Sequence, residues 1–237
     1  MFYFEPGFML IAGFGLVISM IAAARVKSAF AKYSQVPSRI GYTAAQAARV
    51  MLERAGVYDV EIVPVQGTLT DHYDPAHKRL ALSEPVYHSR SVAALGIACH
   101  EAGHALQHAE RYPALGIVSA LWRPAAIGSQ LGFYAVIVGA GLSAMGSLGG
   151  SWLAMAGLAL FGCTLAYQVV TLPVEFDASN RAKQQIVAAG IIAPDEIEGV
   201  NRVLNAAAMT YVAAAVTVAL QFAWLLVRSG LLGSRNE

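Results

Sequence analysis

The 237 residues (25.0 kDa) include 57% hydrophobic and 13% charged side chains, with a mean hydropathy of +0.53, a balance outside that of soluble globular enzymes. Sixteen Lys and Arg against fifteen Asp and Glu leave a net charge of +1, which excludes the basic excess needed to hold a nucleic-acid backbone. Two cysteines, Cys99 and Cys163, cannot build a disulfide framework, and nothing asks for an oxidising compartment.

Three runs, residues 6–24, 124–174 and 203–227, contain no Asp, Glu, Lys or Arg. A membrane span needs only about 20 apolar residues, so the chain reads as a multi-pass protein of the plasma membrane whose first partner is the lipid bilayer. The first run, Phe8 to Ala24, ends in small residues like a signal peptide, but its positive charge follows it (Arg25, Lys27, Lys32, Arg39) and Glu5 precedes it. That order predicts a retained anchor over residues 1–24 with the amino terminus outside and residue 25 onward in the cytoplasm.

Residues 25–123 read as a small cytoplasmic domain. Thr43-Ala44-Ala45-Gln46 fits a capping box opening a helix that Gly56 ends. Asp59 to Val65 alternates apolar and polar side chains, Gly67 and Asp71 to Pro75 supply turns, and Arg79 to Leu82 is a further extended piece, predicting two or three strands. From Ser89 or Ser91 as cap, a helix runs to about Glu110, with Pro113 stopping it. Residues 124–174 are too long for one span and are interrupted at Gly146-Ser147-Leu148-Gly149-Gly150, which predicts a transmembrane helical hairpin. Residues 175–202 return to the cytoplasm, and residues 203–237 supply a fourth span and a tail. Fourteen basic residues then lie inside against Arg228 and Arg235 outside.

Within the helix that follows Ser91 stands His100-Glu101-Ala102-Gly103-His104, the pattern HExxH. With six His and ten Glu in the chain, composition predicts roughly 0.006 chance occurrences. Four residues make one helical turn plus about 40°, so both imidazoles leave one face, spaced to reach one zinc ion. Glu101, beside that face, is positioned to take a proton from metal-acidified water and return it to a leaving amine, which is peptide hydrolysis. The alternative is a helix with two ordinary histidines and a surface carboxylate. A catalytic zinc also needs a third protein ligand. His108 is about 12 Å along the helix axis from His100 and is too far. Gln107 and Glu110 stand where the metzincin extension needs Gly and His. Glu175 is the carboxylate predicted at the cytoplasmic end of the third span, where the zinc helix also lies. Pro173 is expected to break that span and Glu175, Asp177 and Ser179 to begin a polar helix. On spacing alone Glu175 is either a ligand or a structural carboxylate at a helix start.

His100 to His104 within Ala98 to Gln107, the Val174-Glu175-Phe176-Asp177-Ala178-Ser179 segment and Leu204-Asn205-Ala206-Ala207-Ala208-Met209-Thr210-Tyr211 together resemble the bacterial membrane neutral zinc metallopeptidases. Met1 to Pro6 and Thr70-Asp71-His72-Tyr73-Asp74-Pro75 look typical too, so the likeness covers nearly the whole chain. The resemblance implies an α+β membrane protein with about four transmembrane helices and a cytoplasmic zincin-like (minigluzincin) domain. It implies a Zn2+-dependent gluzincin-type metalloendopeptidase acting on peptides or membrane proteins, with His100, His104 and Glu175 as metal ligands and Glu101 as base. Related membrane gluzincins carry Asp four positions after the ligand Glu; here Ser179 stands there, and Asp177 or the Ser179 hydroxyl is left to support the zinc helix. The likeness also assigns the pairing of an extended substrate to Arg79–Leu82. Tyr73, His72, Arg181 and Tyr211 are candidates for the oxyanion group, and His72, His77 and His88 otherwise read as polar loop residues. The rival functions are an intramembrane zinc protease and a catalytically idle zinc-binding scaffold. Only eight apolar residues precede His100, less than half a span, which argues against the first. The charge-free spans, which offer no transport path, and the Glu of the motif argue against the second.

Overall fold

The structure, a computed structural model, describes residues 6–229; the features read at Met1–Glu5 and Arg235 lie outside the described residues. Helix α1 (Pro6–Tyr33) is followed by α2 (Ala44–Arg54), β1 (Glu61–Val65), β2 (His72–Asp74), β3 (Arg79–Ser83), α3 (Glu84–Tyr87) and α4 (Val92–Ala109). Next come α5 (Pro113–Ile127), one π turn (Gly128–Gly132), α6 (Phe133–Ala144), α7 (Leu148–Ala188), a 3-10 turn (Pro194–Glu196) and α8 (Ile197–Arg228). Four stretches are long and apolar enough to cross a membrane: Pro6–Tyr33, Pro113–Ala144, Leu148–Ala188 and Pro194–Arg228.

The chain divides into two compact units. One takes residues up to Ile21, Gly116–Leu172 and Thr210 onward. Its interior is small, with Val136, Leu158, Phe161 and Leu225 at the centre. Phe8 meets the rings of Phe133 and Trp224 at centroid distances of 5.3 and 5.0 Å. A Cβ at Gly157 would lie 2.7 Å from the Val136 nitrogen, so α6 and α7 approach backbone to backbone through small residues, as helices packed in lipid do. Leu10, Leu16, Leu131, Trp152 and Val227 of this unit are exposed. Such a girdle of bare apolar side chains suits hydrocarbon rather than water.

The other unit takes Ala22–Leu115 and Pro173–Met209 and has a conventional core. The apolar faces of α2, β3 and α4 (Met51, Leu52, Leu80, Leu82, Leu95, Leu106) bury against Ile186, Ile191, Ile192 and Leu204. The Thr43 capping box is formed: Oγ1 accepts from the Gln46 N–H and the Gln46 side chain accepts from the Thr43 N–H, which satisfies two of the unpaired donors of the first turn. Gly56, at φ +75°, follows the helix end in a backbone conformation that side-chain-bearing residues avoid.

Three readings from the sequence are corrected here. Residues 72–74 lie in the expected turn but form β2, antiparallel to β3 with Tyr73 opposite Leu80. The turn falls later, where Asp74 Oδ1 accepts from the Ala76 N–H at 2.9 Å and Lys78 takes φ +49°. The sheet order β1-β3-β2 makes β3, Arg79–Ser83, the inner strand. It is parallel to β1 on one side and antiparallel to β2 on the other, so both edges are engaged and it cannot pair with a substrate. Pro173 does not end the third apolar helix: α7 continues through it to Ala188. Proline costs one backbone bond there, and apolar helices tolerate this where the flanking turns are held.

Candidate metal centre

Helix α4 is fixed before any metal chemistry enters. Ser91 caps it, its Oγ accepting from the Ala94 N–H, a contact that contributes about 1 kcal/mol. Its first half, Val92–Cys99, is covered throughout, and most of its second half is buried as far as Gln107. At Gly103 a Cβ would lie 2.7 Å from the Ala178 carbonyl oxygen and 3.1 Å from its Cα. The absence of a side chain there lets α7 reach the face that carries the two imidazoles.

That approach brings Glu175 to His100 and His104. The Glu175 Oε2 is 3.3 Å from His100 Nε2 and 3.7 Å from His104 Nε2, and one donor atom from each of the three lies within 4.8 Å of the others. The imidazole rings stand 4.7 Å apart at 83°. Donors held about 2.0–2.1 Å from one tetrahedral ion are themselves about 3.4 Å apart, so the spacing suits a single zinc. Two further observations test the fit. The Glu175 Oε2 is buried yet accepts no hydrogen bond, an orphaned anionic oxygen aimed at two nitrogens. His104 is the second: burial alone would push its imidazole down, but the facing Glu175 and then Glu101 outweigh it and raise the pKa to about 9. A donor set of two imidazole nitrogens and one carboxylate oxygen fits a zinc ion that keeps one position open.

Behind the donors the polar atoms are paired. Ser179 Oγ is 3.1 Å from His100 Nδ1, so the hydroxyl, not Asp177, is what reaches that imidazole. Gln107, fully buried, meets His104 Nδ1 through Oε1 at 3.0 Å. Its Nε2 donates to the Val174 carbonyl and to Asp177 Oδ2, both at 2.8 Å. Arg181 in turn donates from Nε to the same Asp177 oxygen at 2.6 Å and from a terminal nitrogen to Glu110 at 2.7 Å. The sequence reading used Gln107 only to exclude the metzincin pattern; its place three positions after His104, on the next turn of the same helix, was the one available signal.

Glu101 is 9% exposed, on the same turn as the histidines. His108 is not among the three gathered donors; its Nδ1 meets the Tyr73 hydroxyl at 2.8 Å. Burial, then Asp59 and Asp74, push the Tyr73 phenol up to about 12, so it stays a neutral hydroxyl at physiological pH. His72 lies exposed beside the Thr70 carbonyl and His77 against Asp74, while His88 packs edge-on to Tyr87. Arg181 is engaged as described, and Tyr211 belongs to the other unit.

Residues 8–229 match a protein family described as "Putative neutral zinc metallopeptidase". The "Putative membrane protease YugP" of Bacillus subtilis (strain 168) is 46% identical over 209 residues, covering 88% of this chain and 89% of that protein. No solved structure gives a significant match. With the family match extending through nearly the whole chain and the two helix-borne histidines and Glu175 gathered at one point, this membrane protein belongs to the neutral zinc metallopeptidase family.

Proposed function

We propose that the chain is a multi-pass zinc metalloendopeptidase of the plasma membrane, with His100, His104 and Glu175 as zinc ligands, Glu101 as general base and the site on the cytoplasmic side. The observation that carries the reading is the convergence of two imidazole nitrogens on the orphaned, buried Oε2 of Glu175, with a second buried carboxylate, Glu101, next to His100 on α4. Bound zinc supplies Lewis acidity, lowering the pKa of water and polarising a carbonyl. Glu101 takes the proton of the attacking water and returns it to the amine that leaves. Its burial on a helix held by the Ser91 cap keeps the carboxylate in one place for both transfers. The substrate is an extended peptide or a loosened segment of a membrane protein. With β3 paired on both sides, the strand that receives it is β2, which has β3 on one side only and whose Tyr73 touches His108 of the metal helix. Backbone pairing of that kind gives affinity with little side-chain selectivity.

The test is hydrolysis of a denatured membrane protein by the purified, zinc-loaded chain in detergent, with bound zinc measured on the same sample. Glu101→Gln is expected to keep zinc and lose hydrolysis, because an amide accepts no proton from water; His100→Ala and His104→Ala are expected to lose both. Near wild-type turnover in Glu101→Gln would remove Glu101 from its role.

A further inference from the structure

The hydrogen bonds around Gln107 admit only one orientation of its amide. The Val174 carbonyl can only accept. Asp177 Oδ2 already accepts from Arg181 Nε at 2.6 Å and is an acceptor toward any neighbour. Turning the amide over would set Gln107 Oε1 against both, oxygen facing oxygen in a fully buried position, at a cost of the order of 1–3 kcal/mol for each unmade bond. With Nε2 committed to Val174 and Asp177, Oε1 must face His104, and it can only accept. His104 Nδ1, 3.0 Å away, therefore carries a hydrogen.

The consequence falls on the other ring nitrogen. Whatever occupies the space between His104 and Glu175, only Nε2 can exchange a proton for a metal, and the ring cannot turn to offer Nδ1. The contrast is His100, whose Nδ1 faces the Ser179 hydroxyl. A hydroxyl both donates and accepts, so it accommodates either tautomer and enforces none.

Resting on the zinc reading above, we propose that Gln107 is a positioning residue: clamped by Val174, Asp177 and Arg181, it fixes the tautomer and plane of His104 so that Nε2 alone is presented to zinc. Because Gln107 lies on α4 and its anchors on α7, the same clamp holds the helix of the two histidines in register with the helix of Glu175. Arg181 and Asp177 act on the metal only through it.

The experiment measures zinc affinity of the full-length chain in detergent by competition with a chromophoric chelator, together with thermal unfolding of the metal-free protein. Gln107→Met keeps the length and bulk of the side chain but accepts no hydrogen bond. It is expected to lower zinc affinity by about 10 to 100-fold, with the metal-free protein still unfolding cooperatively but at a lowered temperature, since three buried polar partners lose their bonds. A side chain that merely filled space would leave affinity unchanged in this variant, and that result would overturn the proposal. Gln107→Glu sets two carboxylates side by side and is expected to lose affinity as well. Adding Asp177→Asn removes the facing charge and lets the Asn amide donate to the new carboxylate, which still accepts from His104, while the Val174 carbonyl stays without its side-chain donor. This pair is expected to recover about tenfold, a coupling of ordinary size for residues in contact. Should Gln107→Met fail to fold, equal affinities of Gln107→Glu and the double variant would overturn the proposal instead. Wild-type affinity in the Gln107 variants beside metal loss in His104→Ala defeats this inference alone; failure of the wild type to take up stoichiometric zinc defeats it and the zinc reading together.

Discussion

A carboxylate oxygen withdrawn from water and offered no hydrogen loses of the order of 1–3 kcal/mol, more if it is charged, and a folded chain keeps such an atom where something else compensates it. Glu175 Oε2 is that atom, and the nitrogens it faces are those of HExxH. Asp177, two residues on, is by contrast fully spoken for by Gln107 and Arg181, and His108 by Tyr73. The three residues therefore separate in one measurement. Glu175→Ala is expected to lower zinc affinity by far more than the 10 to 100-fold typical of an outer partner, whereas Asp177→Ala and His108→Ala stay within that smaller loss. Full zinc retention by Glu175→Ala with metal loss in His108→Ala would reverse the assignment.

At the scale of elements, α4 and α7 meet through Gly103. In an exposed helix, replacing Gly by Ala stabilises by up to about 1 kcal/mol, and Gly116 of α5, with nothing within 4 Å of its would-be Cβ, is expected to behave so. Gly103→Ala drives its methyl into the backbone of Ala178, which cannot rotate aside. It is expected to destabilise by about 1–3 kcal/mol, read as a lowered unfolding temperature beside a raised or unchanged one for Gly116→Ala. Local signals made much of this legible beforehand. The Thr43 box and the Ser91 cap mark two helix starts because their chemistry is confined to four residues. The charge-free runs mark the apolar helices because lipid tolerates nothing else. What stayed hidden depends on distant partners. Three residues of β2 are too few for an alternating pattern and exist because β3 lies alongside. Pro173 looks like a terminator to any local reading, and only the turns on either side hold α7 through it. Gln107 is one polar residue among many until Asp177, seventy positions away, gives its amide a direction.

The molecule as a whole has an electrostatic sidedness that the fold does not decide. Eleven basic residues between positions 25 and 123 and three between 175 and 202, against two beyond the last apolar run, give the expectation that both termini lie outside and residues 25–123 and 175–202 inside. Lys78, about half exposed in the turn before β3, is a suitable reporter. The native Cys99 will not confuse it, since burial removes it from solvent and pushes its thiol up to about 12. In a Cys163→Ala background, Lys78→Cys is expected to resist a membrane-impermeant maleimide in intact cells and to react once they are permeabilised. Labelling without permeabilisation would invert the topology.

The division into two units shapes the order in which the protein is assembled during synthesis. The unit that holds the donors is discontinuous: residues 22–115 bring both histidines, but Glu175 and the core residues Ile186, Ile191 and Ile192 arrive only with residues 173–209. A ribosome delivers these pieces in order, separated by the 57 residues of the intervening hairpin segment, 116–172. A nascent chain halted within that segment has two of the three candidate donors and lacks part of its core. With the proposed ligand set, the metal site is therefore incomplete during synthesis until residues 173–209 have been made, beyond the end of α7 at Ala188.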